Sequence, residues 1–260
     1  MEIPIFQIDA FTGKVFGGNP AAVCPLKKWL DDSLMQSIAL ENNLSETAFF
    51  VREERDYRIR WFTPVAEVDL CGHATLATAF VIFNYLDTSV KEVSFNSNSG
   101  LLKVSHSDDG LLSMDFPSLP PTPCKPPDAL LQGLGKERVE TLRSEDYMAV
   151  FSEPDDVVVL KPDMMMLSKL DLRGVIVTSK GKEVDFVARF FAPKYGIPED
   201  PVTGSAYCTL IPYWAKHLGK SKLHAHQLSQ RGGELFCEDL KGRVKISGNA
   251  VLYFKGSIYI

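Results

Sequence analysis

Apolar and polar positions alternate along the start of the chain, and that period of two predicts a strand over residues 3–11. Gly17-Gly18-Asn19-Pro20 reads as a turn, in which glycine supplies unusual dihedrals and proline fixes φ. A short strand resumes over residues 21–25. The period lengthens over residues 33–43, which predicts a helix with Leu34, Ile38 and Ala39 on one face and Asn42-Asn43 as its stop. Strands follow over 45–51 and 57–62 as a hairpin. A helix then starts at Gly72 and runs to about Tyr85, with Leu76, Phe80 and Phe83 on one side, and strands over 90–95, 101–104 and 111–116 close the first half. In the second half, strands are predicted over 147–151, 157–160, 174–178 and 184–191, with a short helix over 163–170. A helix from Gly204 to about Leu218 precedes strands over 222–227, 233–237, 243–247 and 250–259. Met164-Met165-Met166 reads as a buried helix face.

Two stretches carry one signature. Arg60-Trp61-Phe62-Thr63-Pro64 leads through an acidic loop to Gly72-His73-Ala74, and Arg189-Phe190-Phe191-Ala192-Pro193 leads past Glu199 and Asp200 to Gly204-Ser205-Ala206. Further on, the residues around Ser97-Asn98-Ser99-Gly100-Leu101 resemble those around Ser229-Gln230-Arg231-Gly232-Gly233, and Asp109-Gly110 resembles Lys241-Gly242. A repeat of this length predicts two duplicated lobes rather than a solenoid. Prolines at 117, 120, 121, 123, 126 and 127 mark a stiff, extended linker. The expected organisation is therefore an N-terminal lobe over 1–116, a linker and crossover over 117–140, and a C-terminal lobe over 141–260, with the last strand, 250–260, packing onto the first lobe.

Composition narrows the function. A chain of 260 residues can bury a sizeable core, and 45% hydrophobic with 23% charged residues is ordinary for a globular protein. A formal charge of −5, without a lysine or arginine block, argues against nucleic acid or an anionic membrane as partner. Five scattered cysteines without a Cys-x-x-Cys spacing fit a reducing compartment and no zinc site. The start has neither a basic nor an apolar leader segment, and the longest apolar stretch, 74–86, is too short to span a bilayer, so a cytoplasmic location is expected. His224 and His226 alternate on a strand without a carboxylate or cysteine at ligand spacing, so no metal is expected there. No glycine-rich nucleotide-binding pattern occurs.

The candidate chemistry gathers at the two glycine corners. Helix N-termini present unpaired N–H groups and a positive dipole end, and glycine lets a ligand approach them. Two such ends facing each other would cradle a small carboxylate. Glu46 stands at the mouth of an apolar strand, where partial desolvation would favour the proton-carrying form that acid–base work needs. The alternative is a solvated glutamate ahead of a strand. His73 could exchange a proton at the first corner or be a surface residue of the first turn. Asp200 could orient His73, bind a substrate ammonium or cap the loop, and Ser205 could donate to a carboxylate or cap its helix.

Gly18-Asn19-Pro20-Ala21-Ala22-Val23, Leu44-Ser45-Glu46-Thr47-Ala48-Phe49, Cys71-Gly72-His73-Ala74-Thr75-Leu76-Ala77 and Glu199-Asp200-Pro201-Val202-Thr203-Gly204-Ser205-Ala206 together resemble the motifs of the phenazine biosynthesis PhzF-like family. The resemblance runs over nearly the whole chain in order, includes Arg231-Gly232-Gly233-Glu234, and is closest to the phenazine biosynthesis-like domain-containing branch. It implies an α/β (α+β) fold of the diaminopimelate epimerase type: two pseudo-symmetric lobes, each a curled mixed sheet around a central helix, with the site in a cleft between them. It also implies a cofactor-independent isomerase that needs no metal and is commonly a homodimer. Glu46 would then be the proton shuttle, and His73, Asp200 and Ser205 would position and polarise a small carboxylate-bearing substrate. Asn19, Ser45, Gly72, Ala74, Gly204 and Ala206 would line it.

In the related two-thiol racemases a cysteine precedes the glycine of each helix start. Here Cys71 holds the first position, while the second is expected at Pro201-Val202, and Cys208 lies a turn inside its helix. One thiol cannot invert a centre from two faces, so Cys71 reads as a small packed residue. The alternatives to an isomerase are a binding or interaction protein on the same fold and a residual racemase using Cys71.

Overall fold

The computed structural model describes residues 1–107 and 110–260, so Asp109 of the Asp109-Gly110 match lies outside the described residues. The chain divides into two compact units. The first comprises residues 1–115 and 247–260, and the second comprises 116–246.

The first unit holds β1 (Glu2–Ala10), β2 (Asn19–Leu26), α1 (Asp32–Asn42), β3 (Glu46–Glu53), β4 (Asp56–Phe62), β5 (Glu67–Val68), α2 (Gly72–Val81), β6 (Glu92–Ser97), β7 (Gly100–His106) and β8 (Leu112–Pro117), the last strand running two residues past the boundary. The second holds β9 (Thr122–Pro123), α3 (Asp128–Leu134), β10 (Glu140–Arg143), β11 (Tyr147–Val150), α4 (Pro154–Val159), α5 (Met164–Leu167), β12 (Val175–Lys180), β13 (Phe186–Ala192), β14 (Ile197–Asp200), α6 (Gly204–Leu218), β15 (Lys222–Gln227), β16 (Gly233–Asp239) and β17 (Arg243–Gly248), whose last two residues likewise pass the boundary, while β18 (Ala250–Tyr259) belongs to the first. No described helix is long and apolar enough to cross a membrane.

Pairing shows the duplication. In the first unit β1–β2 is antiparallel, β2–β3 parallel, β3–β4 antiparallel, β4–β6 parallel and β6–β7 antiparallel. In the second, β10–β11, β11–β12, β12–β13, β13–β15 and β15–β16 follow the same alternation. β18 extends the first sheet antiparallel to β1. In each unit a short strand folds back on the motif strand, β5 on β4 and β14 on β13, immediately before the glycine-started helix.

Each unit buries its glycine-started helix almost all round. In α2 every residue from His73 to Ala79 is buried, and the helix packs on β1, β2, β3, β7 and β18. Its buried Thr75 and Thr78 satisfy their hydroxyls by donating to the carbonyls of Cys71 and Ala74, at 2.6 and 2.7 Å. The other face of the first sheet packs on α1 through Met35, Ile38 and Ala39 against Ile3, Ile5, Phe49 and Phe62. In α6, Pro212 sits inside the helix and cannot bond back to the carbonyl of Cys208. That carbonyl instead accepts the N–H of Leu119 at 2.9 Å, so the proline-rich stretch is stitched to the helix it runs beside.

Three readings of the sequence need correction. Residues 154–159 form a helix where a strand over 157–160 was expected. Pro154 at the first turn with Asp155 and Asp156 makes a strong helix start and overrides the strand preference of Val157-Val158-Val159. The three methionines are not a buried face: Met165 is 72% exposed, and Leu167 is the residue of α5 that enters the core. The helix from Gly72 does not stay α-helical to Tyr85 but passes into a π-turn over Ile82–Leu86. The stretch 117–140 also carries β9, α3 and the start of β10 besides its prolines.

Candidate active site

Glu46 is the first residue of β3, set opposite Ala21 of the parallel strand β2. Its side chain is only 14% exposed, which removes the solvated alternative. α2 starts at Gly72 after Cys71, which is extended (φ −144°, ψ 108°) and gives the helix no side-chain cap. This start places the buried ring of His73 between two partners. Nε2 lies 3.0 Å from Glu46 Oε2, and Nδ1 lies 3.5 Å from Cys71 Sγ. The Nε2–Oε2 approach is close but off-axis, so both buried atoms lack a hydrogen bond of good geometry within the protein. Buried polar atoms left in that state are unusual in folded proteins.

Burial disfavours a charged His73 ring, but the Cys71 sulfur and the Glu46 carboxylate beside it outweigh burial and hold its pKa well above the ordinary histidine value. Burial pushes the Cys71 thiol up to about 11, and the charge of Glu46 adds to the rise. Cys71 is therefore uncharged at neutral pH, and the carboxylate that faces the ring is that of Glu46. A raised folded-state pKa contributes stability that is complete below the unfolded value of about 6.5 and is lost as pH rises through the folded value. His73→Gln should accordingly lower the melting temperature more at pH 6 than at pH 10. Equal losses at both would show that the ring is not charged in the fold.

In the second unit, β14 folds back so that Asp200 lies opposite Phe190, and α6 starts at Gly204 after Thr203. Thr203 Oγ1 donates to Asp200 Oδ2 at 2.5 Å. Gln227, 1% exposed, accepts the Thr203 N–H on Oε1 at 3.0 Å and donates from Nε2 to the Asp200 carbonyl at 2.9 Å. The loop carrying Asp200 is thus fixed from β15. Ser205 is partly exposed in the first turn of α6, between buried Gly204 and Ala206. Of the other expected lining residues, Asn19 and Ala74 are buried, while Ser45 and Gly72 are partly exposed.

The repeated arginine has a physical role. Arg60 grips Glu67 with Nε–Oε1 and Nη2–Oε2 both at 2.7 Å, and Arg189 grips Glu199 with the same pairs at 2.7 and 2.9 Å. Their guanidinium groups lie over Phe62 and Phe191, at 5.2 and 4.9 Å from the ring centres. Each clamp ties the motif strand to the short strand before the glycine corner. The sequence showed the arginines, but not their partners, which stand seven and ten residues on. Thr203 and Gln227 were missed as well. The one hint was that Gln227 falls on the inward-facing alternation of β15. The position equivalent to Cys71 is Thr203, since each immediately precedes its helix, and not Pro201-Val202 as expected.

Two groups among the described residues bring three metal-ligand types together: Glu46, Cys71 and His73, and His224, His226 and Glu234. The first is poorly suited to a cation, because a thiol with a pKa of about 11 and a ring held as imidazolium would both have to lose protons. The second overturns the reasoning that left His224 and His226 without a carboxylate. Strand register brings Glu234 across to them, with Oε1 2.9 Å from His224 Nε2.

The family model for phenazine biosynthesis-like (PhzC-PhzF) proteins matches residues 8–256. A Pseudomonas aeruginosa protein described as an uncharacterized isomerase is 51% identical over 260 residues, covering all of both chains. The crystal structure of a phenazine biosynthesis protein of the PhzF family from Enterococcus faecalis superposes with a TM-score of 0.97 at 48% identity, again over all of both chains. A hydroxyproline epimerase from Agrobacterium vitis shares the fold, with a TM-score of 0.66 at 8% identity over 99% of this chain and 92% of its own.

Proposed function

The chain belongs to the phenazine biosynthesis-like (PhzC-PhzF) family, and on that premise we propose that it is a cofactor-independent isomerase of a small carboxylate-bearing substrate, with Glu46 as its single acid–base group. The observation that carries this reading is the sheltered Glu46–His73 pair, whose facing atoms are buried and lack good hydrogen bonds of their own. The whole-length relative described as an isomerase supports the reaction class. In the proposed step the Glu46 carboxylate takes a proton from a carbon acidified by a neighbouring carboxylate or conjugated system. Glu46, now neutral, returns that proton to another carbon on the same face, so no atom is gained or lost. The His73 imidazolium steadies the carboxylate beforehand and the negative charge that develops on the substrate. The uncapped start of α2 suits the substrate's carboxylate. The roles that the resemblance gives Asp200 and Ser205 form a separate part of the proposal, tested by Asp200→Asn and Ser205→Ala.

A thiol mechanism is disfavoured. With a pKa of about 11, Cys71 is ionised in only ~10⁻⁴ of molecules at pH 7, and its counterpart position is a threonine. Cys71→Ala should therefore lower turnover by no more than about tenfold, and iodoacetamide at pH 7 should not inactivate the protein. A thousandfold loss in that variant would make the thiol the catalyst.

The proposal is tested by incubating EDTA-treated protein with small unsaturated and amino carboxylates and following each by NMR. Formation of an isomer of unchanged mass without added cofactor supports it. Binding without conversion of any ligand would favour the non-catalytic reading.

A further inference from the structure

We propose that His224, His226 and Glu234 form a binding site for a transition-metal dication, with Zn²⁺ as the best-matched ion. In β15, Leu223, Ala225 and Gln227 point into the core, which turns His224 and His226 to the opposite face, where each side chain is a little over one-third exposed. β16 runs antiparallel beside it with Glu234 directly across from His226 and Phe236 across from His224. The Glu234 carboxylate therefore sits diagonally to one imidazole and opposite the other. Its Oε1 is 2.9 Å from His224 Nε2 and 3.9 Å from His226 Nε2, and the three ligand atoms all lie within 4.8 Å of one another. A zinc ion with bonds of about 2.0–2.2 Å spreads its ligand atoms roughly 3–3.6 Å apart, so only small side-chain rotations separate this cluster from a coordination sphere.

The cluster stands on a rigid base. His224 stacks on Phe236 with ring centres 4.8 Å apart and planes 1° from parallel, which fixes the ring. Its backbone N–H donates to Asp185 Oδ2 at 2.8 Å. β13 holds the other edge of β15, with Val187 paired to His226. An isolated ion pair would need one histidine. Here two imidazole nitrogens converge on one carboxylate oxygen, on strands that cannot easily part. Two imidazoles and a carboxylate suit Zn²⁺ and its neighbours rather than Mg²⁺ or Ca²⁺, which take oxygen ligands. Three protein ligands on a half-exposed face leave a coordination position to water.

The test uses untagged, EDTA-treated protein titrated with Zn²⁺ at pH 7.5 in a calorimeter. One saturable ion per chain is expected, with affinity weakened by about tenfold or more in each of His226→Ala and Glu234→Gln. Both side chains are partly exposed, so both variants should keep the native melting temperature without metal. Co²⁺ then reports which cluster is filled, because a thiolate ligand adds a strong near-ultraviolet charge-transfer band and a histidine–carboxylate site does not. Weak multi-site binding, binding unchanged in both variants, or a thiolate band would each overturn the assignment.

Discussion

Glu46→Gln should leave the chain folded and able to bind a small carboxylate, and should lower turnover by roughly 10²–10⁴-fold. Glutamine has the shape of glutamate and keeps an oxygen for His73, but it cannot carry a proton between two carbons. Because the missing step is chemical, kcat and kcat/KM should fall together while KM stays near its native value. The variant has a second signature. Without the carboxylate 3.0 Å away, one of the two neighbours that raise the His73 pKa against burial is gone, so its pKa should drop from its raised native value. An NMR titration of His73 would read this directly. A loss of turnover without that drop would mean that the two side chains do not act as a pair.

Arg189→Met should be the most destabilising of the motif substitutions. The native side chain, 11% exposed, donates to both oxygens of Glu199 and to the carbonyls of Val157 and Leu160, at 3.0 and 2.8 Å. Methionine fills much of the space but leaves a carboxylate that is 23% exposed and two carbonyls without their donor. Breaking a largely buried pair from one side costs about 3–5 kcal/mol, which for a chain of this size is a fall in melting temperature on the order of 10 °C. The double change Arg189→Met with Glu199→Met should recover much of the loss, because no unpaired charge remains. Arg60→Met should cost less, since one of Arg60's two acidic partners, Asp32, is 76% exposed. If Arg189→Met leaves the melting temperature unchanged, the clamp is not what holds the loop before Gly204.

What the sequence made legible follows from the range of the forces involved. Alternation and helical period are local, and they placed the strands around Glu46 and the helices from Gly72 and Gly204 within a few residues. The duplicated arginine–aromatic motif was visible because each copy needs the same clamp over the same kind of ring. The failures came where one local preference beats another or where partners meet through register. Val157-Val158-Val159 is a strand former by composition, but the charged start at Pro154-Asp155-Asp156 decides it as helix. Glu199 beside Arg189, Gln227 beside Thr203 and Glu234 beside His224 become neighbours only once strands are paired. No spacing rule along the chain shows them. Glu46 and His73 could be singled out from their motifs, but the 3.0 Å approach of Nε2 to Oε2 needed the parallel register of β2 and β3 and the start of α2.

The most direct measurement is solvent-deuterium incorporation. Native protein and Glu46→Gln are incubated in D₂O with the same small carboxylates, and each carbon-bound proton is followed by NMR. The account predicts that at least one compound is isomerised, that deuterium enters at the carbon Glu46 reprotonates whenever the neutral Glu46 exchanges with solvent before that step, and that Glu46→Gln suppresses both by ~10²-fold or more. Isomerisation or incorporation that proceeds at the native rate in Glu46→Gln, or the absence of both for every compound the protein binds, would contradict it.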